Sequence, residues 1–249
     1  MIPNPIHKVL STLSSHEVRH LLMGGQACVF YGAAEFSRDC DIVLLADDEN
    51  FGRLTATLDE LQAECIAVPP MDWKYLDRGH AIHFRCLHPD AHRIRLDVMT
   101  KMRGCDEFPD LWDRRTTLQD EDGTIFEILG IEDLVKAKKT QRDKDWPMIR
   151  RLVDAHYAQF QSDVNDDRVR FWLRESRTAT VLTEIAAEYA SIASEVISLR
   201  PLLAHALVGK ETKLQSAMAN EQARERAADE TYWQPLKAEL EQLRRDRRK

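Results

Sequence analysis

One segment, residues 21–45, constrains the fold more than any other part of the chain. It contains, in order, an apolar run, a pair of glycines, a stretch of small residues and a second apolar run that begins with Asp39-Cys40-Asp41. This pattern predicts a strand, a tight turn, a short helix and a second strand. Because side chains alternate along a strand, the two acids are expected on one face and Cys40 on the other.

Both halves of this segment suit phosphoryl chemistry. Glycines before a helix, here Gly24 and Gly25, let backbone N–H groups approach a phosphate, helped by the helix N-terminus. Two carboxylates one strand repeat apart supply the hard oxygen ligands that Mg²⁺ prefers. Taken singly, each feature is commonly structural, as a tight turn or as two solvated acids. Their order and spacing favour one shared site.

A third acid, Asp97, follows in residues 93–99, a segment that alternates strictly between apolar and other residues. If this strand pairs beside the strand of Asp39 and Asp41, Asp97 joins the same site. Three convergent carboxylates with a phosphate-binding turn fit a two-metal mechanism, in which metal ions hold the attacking and leaving oxygens of an in-line displacement.

The patterns G-G-x-A-x-x-x-x-G, S-R-D-x-D and R-x-D-V, in this order, resemble the nucleotidyltransferase superfamily of DNA polymerase β type. Within it, the chain looks most similar to small bacterial proteins related to the AbiEii and MenT toxins. Residues 129–145 resemble a helix of those relatives that reads roughly s-x-e-D-L-I-x-x-K, followed by R-x-K-D. Two positions depart from the pattern, because Ser37 stands where Thr is usual and Glu35 where Arg is frequent.

The resemblance implies a role for each matching residue. Gly24 and Gly25 would hold the β- and γ-phosphates of a nucleoside triphosphate (NTP), with Ser37 as a supporting contact. Lys138 would contact the phosphates and offset charge in the transition state. The two Mg²⁺ ions would be bound by three carboxylates, those of Asp39, Asp41 and Asp97.

Length and composition set the broad class. The 249 residues carry a formal charge of -7, which argues against a general nucleic-acid coat but leaves room for a local basic groove. The five cysteines are scattered without a C-x-x-C pair, so no zinc site is predicted. We expect an α/β fold, with a small mixed-sheet nucleotidyltransferase core over residues 1–160 and an all-helical C-terminal region over 161–249. Without a long apolar run or a signal-like N-terminus, the protein is expected to be cytoplasmic and to make no membrane contact.

Several local predictions follow from the periodicity. An amphipathic helix is expected from Pro5 to His20, and one helix from Ile131 to Asp145. The C-terminal helices are expected to break near residues 177–178, before Pro201 and near residues 229–230. The histidines between residues 80 and 92 are expected to be exposed or to lie at a strand edge. The basic end, residues 244–249, suits the dipole of a helix C-terminus, and contact with RNA phosphates is the sharper alternative.

The leading hypothesis is a Mg²⁺-dependent enzyme that moves a nucleotidyl group from an NTP to an acceptor and releases pyrophosphate. By analogy with the toxins, the acceptor is an RNA or tRNA end or a partner protein, in a toxin–antitoxin or phage-defence system with a cognate antitoxin. Two alternatives remain. The fold could serve as a non-catalytic binding module of a toxin–antitoxin pair, or the enzyme could modify a hydroxyl group of an antibiotic.

Overall fold

The computed structural model describes residues 4–248 and contains one mixed sheet in the order β3-β4-β5-β2-β1-β7-β6. The strands are β1 (His20–Met23), β2 (Asp39–Leu44), β3 (Glu64–Cys65), β4 (Ile82–Arg85), β5 (Arg95–Met99), β6 (Thr116–Gln119) and β7 (Ile125–Ile128). Strand β2 lies antiparallel to β1 and parallel to β5. This mixed α/β architecture with a C-terminal helical region confirms the predicted fold class.

The chain forms two compact units. The first comprises residues 1–30, 34–137 and 232–249 and holds the whole sheet, and the second comprises residues 31–33 and 138–231. The helices of the first unit are α1 (Asn4–Ser15), α2 (Gly24–Phe30), α3 (Asp48–Glu60), α4 (Trp73–Asp77), α5 (Phe108–Asp113) and α6 (Ile131–Ala137). The predicted domain boundary at residue 160 stays a prediction.

The core of the first unit follows the sequence pattern. Helix α1 buries the predicted apolar stripe, including Ile6 and Leu13, and contacts β2, β7 and α3. In the central strands, Cys40 and Ile42 of β2 and Leu96 of β5 are fully buried. Since these residues alternate with the acids, the opposite face of β2 and β5 is left to the polar side chains.

The second unit is built from helices and the turns between them, and it includes part of the last helix of the chain. They are α7 (Asp145–Phe160), α8 (Asp166–Glu175), α9 (Ala179–Glu188), α10 (Ala190–Val196), α11 (Leu203–Leu207) and the start of α12 (Glu211–Asp246). Phe171 and Trp172 are the largest buried side chains here. Arg200, 3% exposed, donates to the carbonyls of Leu173 and Ser176 and to Glu221, so its buried charge is compensated.

Three local predictions were wrong. The helix predicted from Ile131 to Asp145 ends at Ala137, and the segment after it forms a turn in which Thr140 and Arg142 donate to Asp145, the first residue of α7. The break predicted near residues 229–230 is absent, and α12 runs continuously through that point with Pro235 inside it. The helix predicted from Pro5 to His20 ends at Ser15, and His20 begins β1. Lys249, the last residue of the basic end, lies outside the described residues.

Long helices in this chain are polar. The 36-residue helix α12 carries charged residues throughout its length. Among the described residues, no helix combines the length and the apolar character needed to cross a membrane.

A half-buried histidine makes the stability of the second unit depend on pH. The Nδ1 atom of His156 accepts a hydrogen bond from Nε1 of Trp172 at 2.8 Å. Burial, with a smaller contribution from the charge of Arg168, lowers the pKa of His156 from 6.5 to about 4. Between these values the unfolded chain binds a proton that the folded unit does not bind. We therefore expect the free energy of unfolding to fall as the pH drops through this window.

Denaturant unfolding followed by circular dichroism at several pH values measures this effect. A His156→Gln variant keeps an oxygen that can accept from Trp172 but removes the titrating ring. The variant is expected to lose less stability than the wild type between pH 6.5 and 4. Equal losses in the two proteins would assign the pH dependence to other groups.

Candidate active site

The sheet register brings the predicted acids onto neighbouring strands. Asp41 of β2 lies directly opposite Asp97 of β5, and Asp39 lies opposite Arg95. Residues directly opposite each other in a sheet point to the same face. The three carboxylates therefore share one face of the sheet, with Arg95 among them.

The same face continues onto β4. His83 lies opposite Asp97, and Arg85 lies opposite Arg95. Two rows of charged and polar side chains therefore run across the strands, one through Asp41, Asp97 and His83 and one through Asp39, Arg95 and Arg85. This surface carries charges of both signs, with acids on β2 and β5 and arginines on β5 and β4, so its character is polar rather than that of an apolar packing face.

Asp97 is the most tightly held acid of the group. Its Oδ1 atom is 2.7 Å from Nε of Arg95 and 2.8 Å from Nδ1 of His83, and its Oδ2 atom is 2.5 Å from Nη2 of Arg95. Burial raises the pKa of the Asp97 carboxyl, but the hydrogen bonds from His83 and Arg95 outweigh it, so the pKa lies below its ordinary value. Asp97 is therefore ionised in the folded protein at neutral pH.

The guanidinium of Arg95 responds to all three acids. Its pKa is raised above the ordinary value, first by the hydrogen bond to Asp97 and then by the charges of Asp97, Asp39 and Asp41, while desolvation opposes the shift. The raised pKa of Arg95 is consistent with the register, which places its guanidinium on the same face of the sheet as the three carboxylates.

Both predicted glycines lie in the first turn of α2, next to the acid strand. Gly24 has φ +69°, and a Cβ atom at this position would fall 1.8 Å from Oδ2 of Asp41. A Cβ atom on Gly25 would fall 2.7 Å from Oγ of Ser37, whose hydroxyl donates to the backbone carbonyl of Asp39. The glycines thus let the backbone lie directly against the acids.

The donor set suits a hard divalent cation such as Mg²⁺. The side chain of Asp39 is half-exposed and has no hydrogen-bond or ion-pair partner among the described residues. The oxygens of Asp39, Asp41 and Asp97 do not all lie within 4.8 Å of one another. Arg95 donates to both oxygens of Asp97, and the lone pairs that remain on the carboxylate are the ones available to a metal ion.

Lys138 lies in the second compact unit. Its ammonium group is 3.4 Å from Oδ1 of Asp145, and both side chains are buried. Asp145 also accepts from Thr140 and Arg142. In the structure the predicted lysine therefore takes part in a buried ion pair of its own unit, and its role towards a phosphate stays a prediction.

Another metal-capable group lies elsewhere in the first unit. Ligand atoms of His7, Asp120 and Asp122 lie within 4.8 Å of one another, with Nε2 of His7 at 3.1 Å from Asp122. Asp122 is exposed, and its other oxygen accepts from the backbone N–H of Thr124. These contacts are those of an ion pair that fixes the turn between β6 and β7.

The sequence analysis did not identify His83 or Arg95 as site residues, and its expectation for the histidines was wrong in two cases. His80 is only 1% exposed, and its Nε2 atom is 2.7 Å from Glu239 of α12. His83 belongs to an inner strand of the sheet. The strict alternation of residues 93–99 already placed Arg95 on the face of Asp97, which was the available signal for Arg95.

No family model matches the chain, and no curated protein matches it. Among solved structures, the chain is similar to one described as "Crystal structure of putative nucleotidyltransferase from H. pylori". The two chains share 13% sequence identity with a TM-score of 0.40, over 88% of this chain and 92% of the other. A likeness of this degree carries no argument about activity, so the functional case depends on the site itself.

Proposed function

We propose that this protein is a divalent-metal-dependent nucleotidyltransferase that uses an NTP. The observation that carries the proposal is the register of β2 and β5, which lines up Asp39, Asp41 and Asp97 on one face beside the glycines of α2. The reaction needs carboxylates that can hold a metal ion and backbone that can lie against a phosphate. The acids on this face and the close approach of Gly24 would supply these two parts.

In the proposed reaction, an acceptor hydroxyl oxygen attacks the α-phosphorus of the NTP. The bond from the α-phosphorus to the bridging oxygen of pyrophosphate breaks, and pyrophosphate leaves. Bound Mg²⁺ would neutralise charge on the attacking and leaving oxygens. Asp39 and Asp41 would hold the metal. Asp97, which is held ionised by the hydrogen bonds from His83 and Arg95, would complete the site and help to remove the proton of the attacking hydroxyl.

The remaining predicted residues bind the nucleotide. Gly24 and Gly25 offer backbone N–H groups to the β- and γ-phosphates, and Ser37 supports this segment through its contact with Asp39. Lys138 is assigned to the phosphates on the family resemblance alone. That resemblance also supports an RNA or tRNA end or a protein as acceptor, and a toxin–antitoxin or phage-defence setting with a cognate antitoxin.

Isothermal titration calorimetry of an NTP into the full-length protein tests the proposal without a known acceptor. We expect binding that requires Mg²⁺ and that is lost in Asp39→Asn. The matched control is Asp110→Asn, which removes an exposed acid of α5. Heat that is independent of Mg²⁺, or no binding at all, would contradict the proposal and favour the non-catalytic binding module.

A further inference from the structure

The site face carries an arginine with no internal partner. Arg85 is exposed on β4 and lies opposite Arg95 on one side and Glu64 on the other. Like charges directly opposite each other destabilise a sheet. Arg95 is compensated by Asp97, whereas Arg85 forms no ion pair with any described residue, Glu64 included. The guanidinium of Arg85 is therefore available to an external anion.

A second cationic feature lies in the same compact unit. Three arginines of the last turns of the chain, Arg244, Arg247 and Arg248, line a pocket of about 380 Å³ together with Ala67 and Val68. All three are exposed, and none pairs with a described carboxylate. Their neighbour Arg245 is different, because it lies 3.7 Å from Glu241. The pocket therefore combines an apolar wall with three uncompensated guanidinium groups.

The sheet connects the two features. Ala67 and Val68 follow β3, the edge strand that pairs with β4 at Arg85. From Asp39 on β2 to Glu64 on β3 there are three strand spacings, roughly 15 Å in all. Arg95 and Arg85 thus lie between the acid site and the edge strand, where Glu64 ends the row and the chain leads on to Ala67 and Val68 of the pocket.

We propose that this surface binds the phosphates of a single-stranded RNA acceptor, with the pocket arginines holding the strand and Arg85 holding a phosphate close to the attacking hydroxyl. This inference rests on the proposed function, and it names the acceptor class of the same site. Planar guanidinium groups bind phosphate oxygens in a two-pronged geometry, and a strand offers phosphates at regular spacing. A small antibiotic acceptor offers no row of anionic groups to these arginines.

Fluorescence anisotropy with a labelled single-stranded RNA that ends in a 3′-hydroxyl tests this inference, without NTP or Mg²⁺. In the triple variant Arg244→Gln, Arg247→Gln, Arg248→Gln, we expect the slope of log affinity against log salt to fall by about 2, since each phosphate contact contributes about 0.7. Arg85→Gln is expected to lower the slope by about 0.7 and the affinity about tenfold. The control is Arg150→Gln with Arg151→Gln, which removes two exposed arginines of α7.

Equal binding by wild type and variants, or an equal loss in the control, would overturn the inference. So would a wild type that does not bind the RNA, or a polyglutamate peptide that competes as well as RNA of the same charge. Calorimetry of NTP with Mg²⁺ on the triple variant separates the two proposals, because Arg244, Arg247 and Arg248 lie outside the proposed nucleotide site. Normal NTP binding with unchanged RNA binding removes the RNA inference alone, whereas absent NTP binding in the wild type removes the proposed function.

Discussion

Replacing Asp41 by asparagine is expected to lower the rate of nucleotidyl transfer at least about a hundredfold, the scale on which loss of one electrostatic contact to a transition state is felt. Asparagine keeps the size of the side chain but removes the negative charge that holds a divalent cation. Asp41 is half-exposed and lies opposite another acid, Asp97, so removing its charge relieves a repulsion between two carboxylates. The thermal unfolding temperature should therefore stay the same or rise.

The rate and the unfolding temperature are measured on the same preparation, with Asp110→Asn as the control for a change of surface charge. Undiminished transfer by a folded Asp41→Asn protein would show that the chemistry takes place elsewhere. A variant that loses both activity and folded structure would assign Asp41 to the stability of the sheet instead.

The second large effect is expected at Gly24. In Gly24→Ala, the new Cβ atom would fall 1.8 Å from Oδ2 and 2.7 Å from Cβ of Asp41, so the whole acid side chain must move. The positive φ of +69° adds backbone strain for any residue with a side chain. We expect a loss of about 3 kcal/mol in the free energy of unfolding, together with loss of Mg²⁺-dependent NTP binding.

Gly104→Ala separates these two causes. Gly104 has φ +74° in the same compact unit, but a Cβ atom there meets nothing within 4 Å. The control should therefore lose only the backbone contribution, about 1–2 kcal/mol, and keep NTP binding. If the two alanine variants behave alike in denaturant unfolding and in calorimetry, the close approach of Gly24 to Asp41 has no functional weight.

Local patterns were enough to predict the parts of the site that lie within one strand or one turn. Alternation along residues 39–44 and 95–99 placed the acids on one face. In β2 the acids are also less buried than Cys40 and Ile42, whereas Asp97 of β5 is itself buried. The stripe of α1 was equally readable, because the helix buries one face against the sheet.

Pairing between distant strands was not readable in the same way. His83 and Arg85 reach the site only through the register of β4 with β5, and that register is set by packing across the sheet rather than by neighbouring residues. Strand β6 was missed because its alternating exposed and half-exposed residues carry no apolar signal. The continuous helix α12 overrides the usual expectation that a proline ends a helix.

The electrostatics of the site also depend on the register of β2 with β5. Three carboxylates on one face repel one another, and Arg95 offsets that repulsion through its two contacts with Asp97.

The most direct measurement is incubation of the protein with each of the four α-labelled NTPs, Mg²⁺ and total cellular RNA, followed by a denaturing gel. We expect label in an RNA band with at least one of the four NTPs. This labelling should require Mg²⁺ and should be absent with the Asp39→Asn protein. Label that enters a polypeptide instead would keep the enzyme and overturn the RNA acceptor. Label that persists with Asp39→Asn would contradict the assignment of the active site, and the central claim would fall with it.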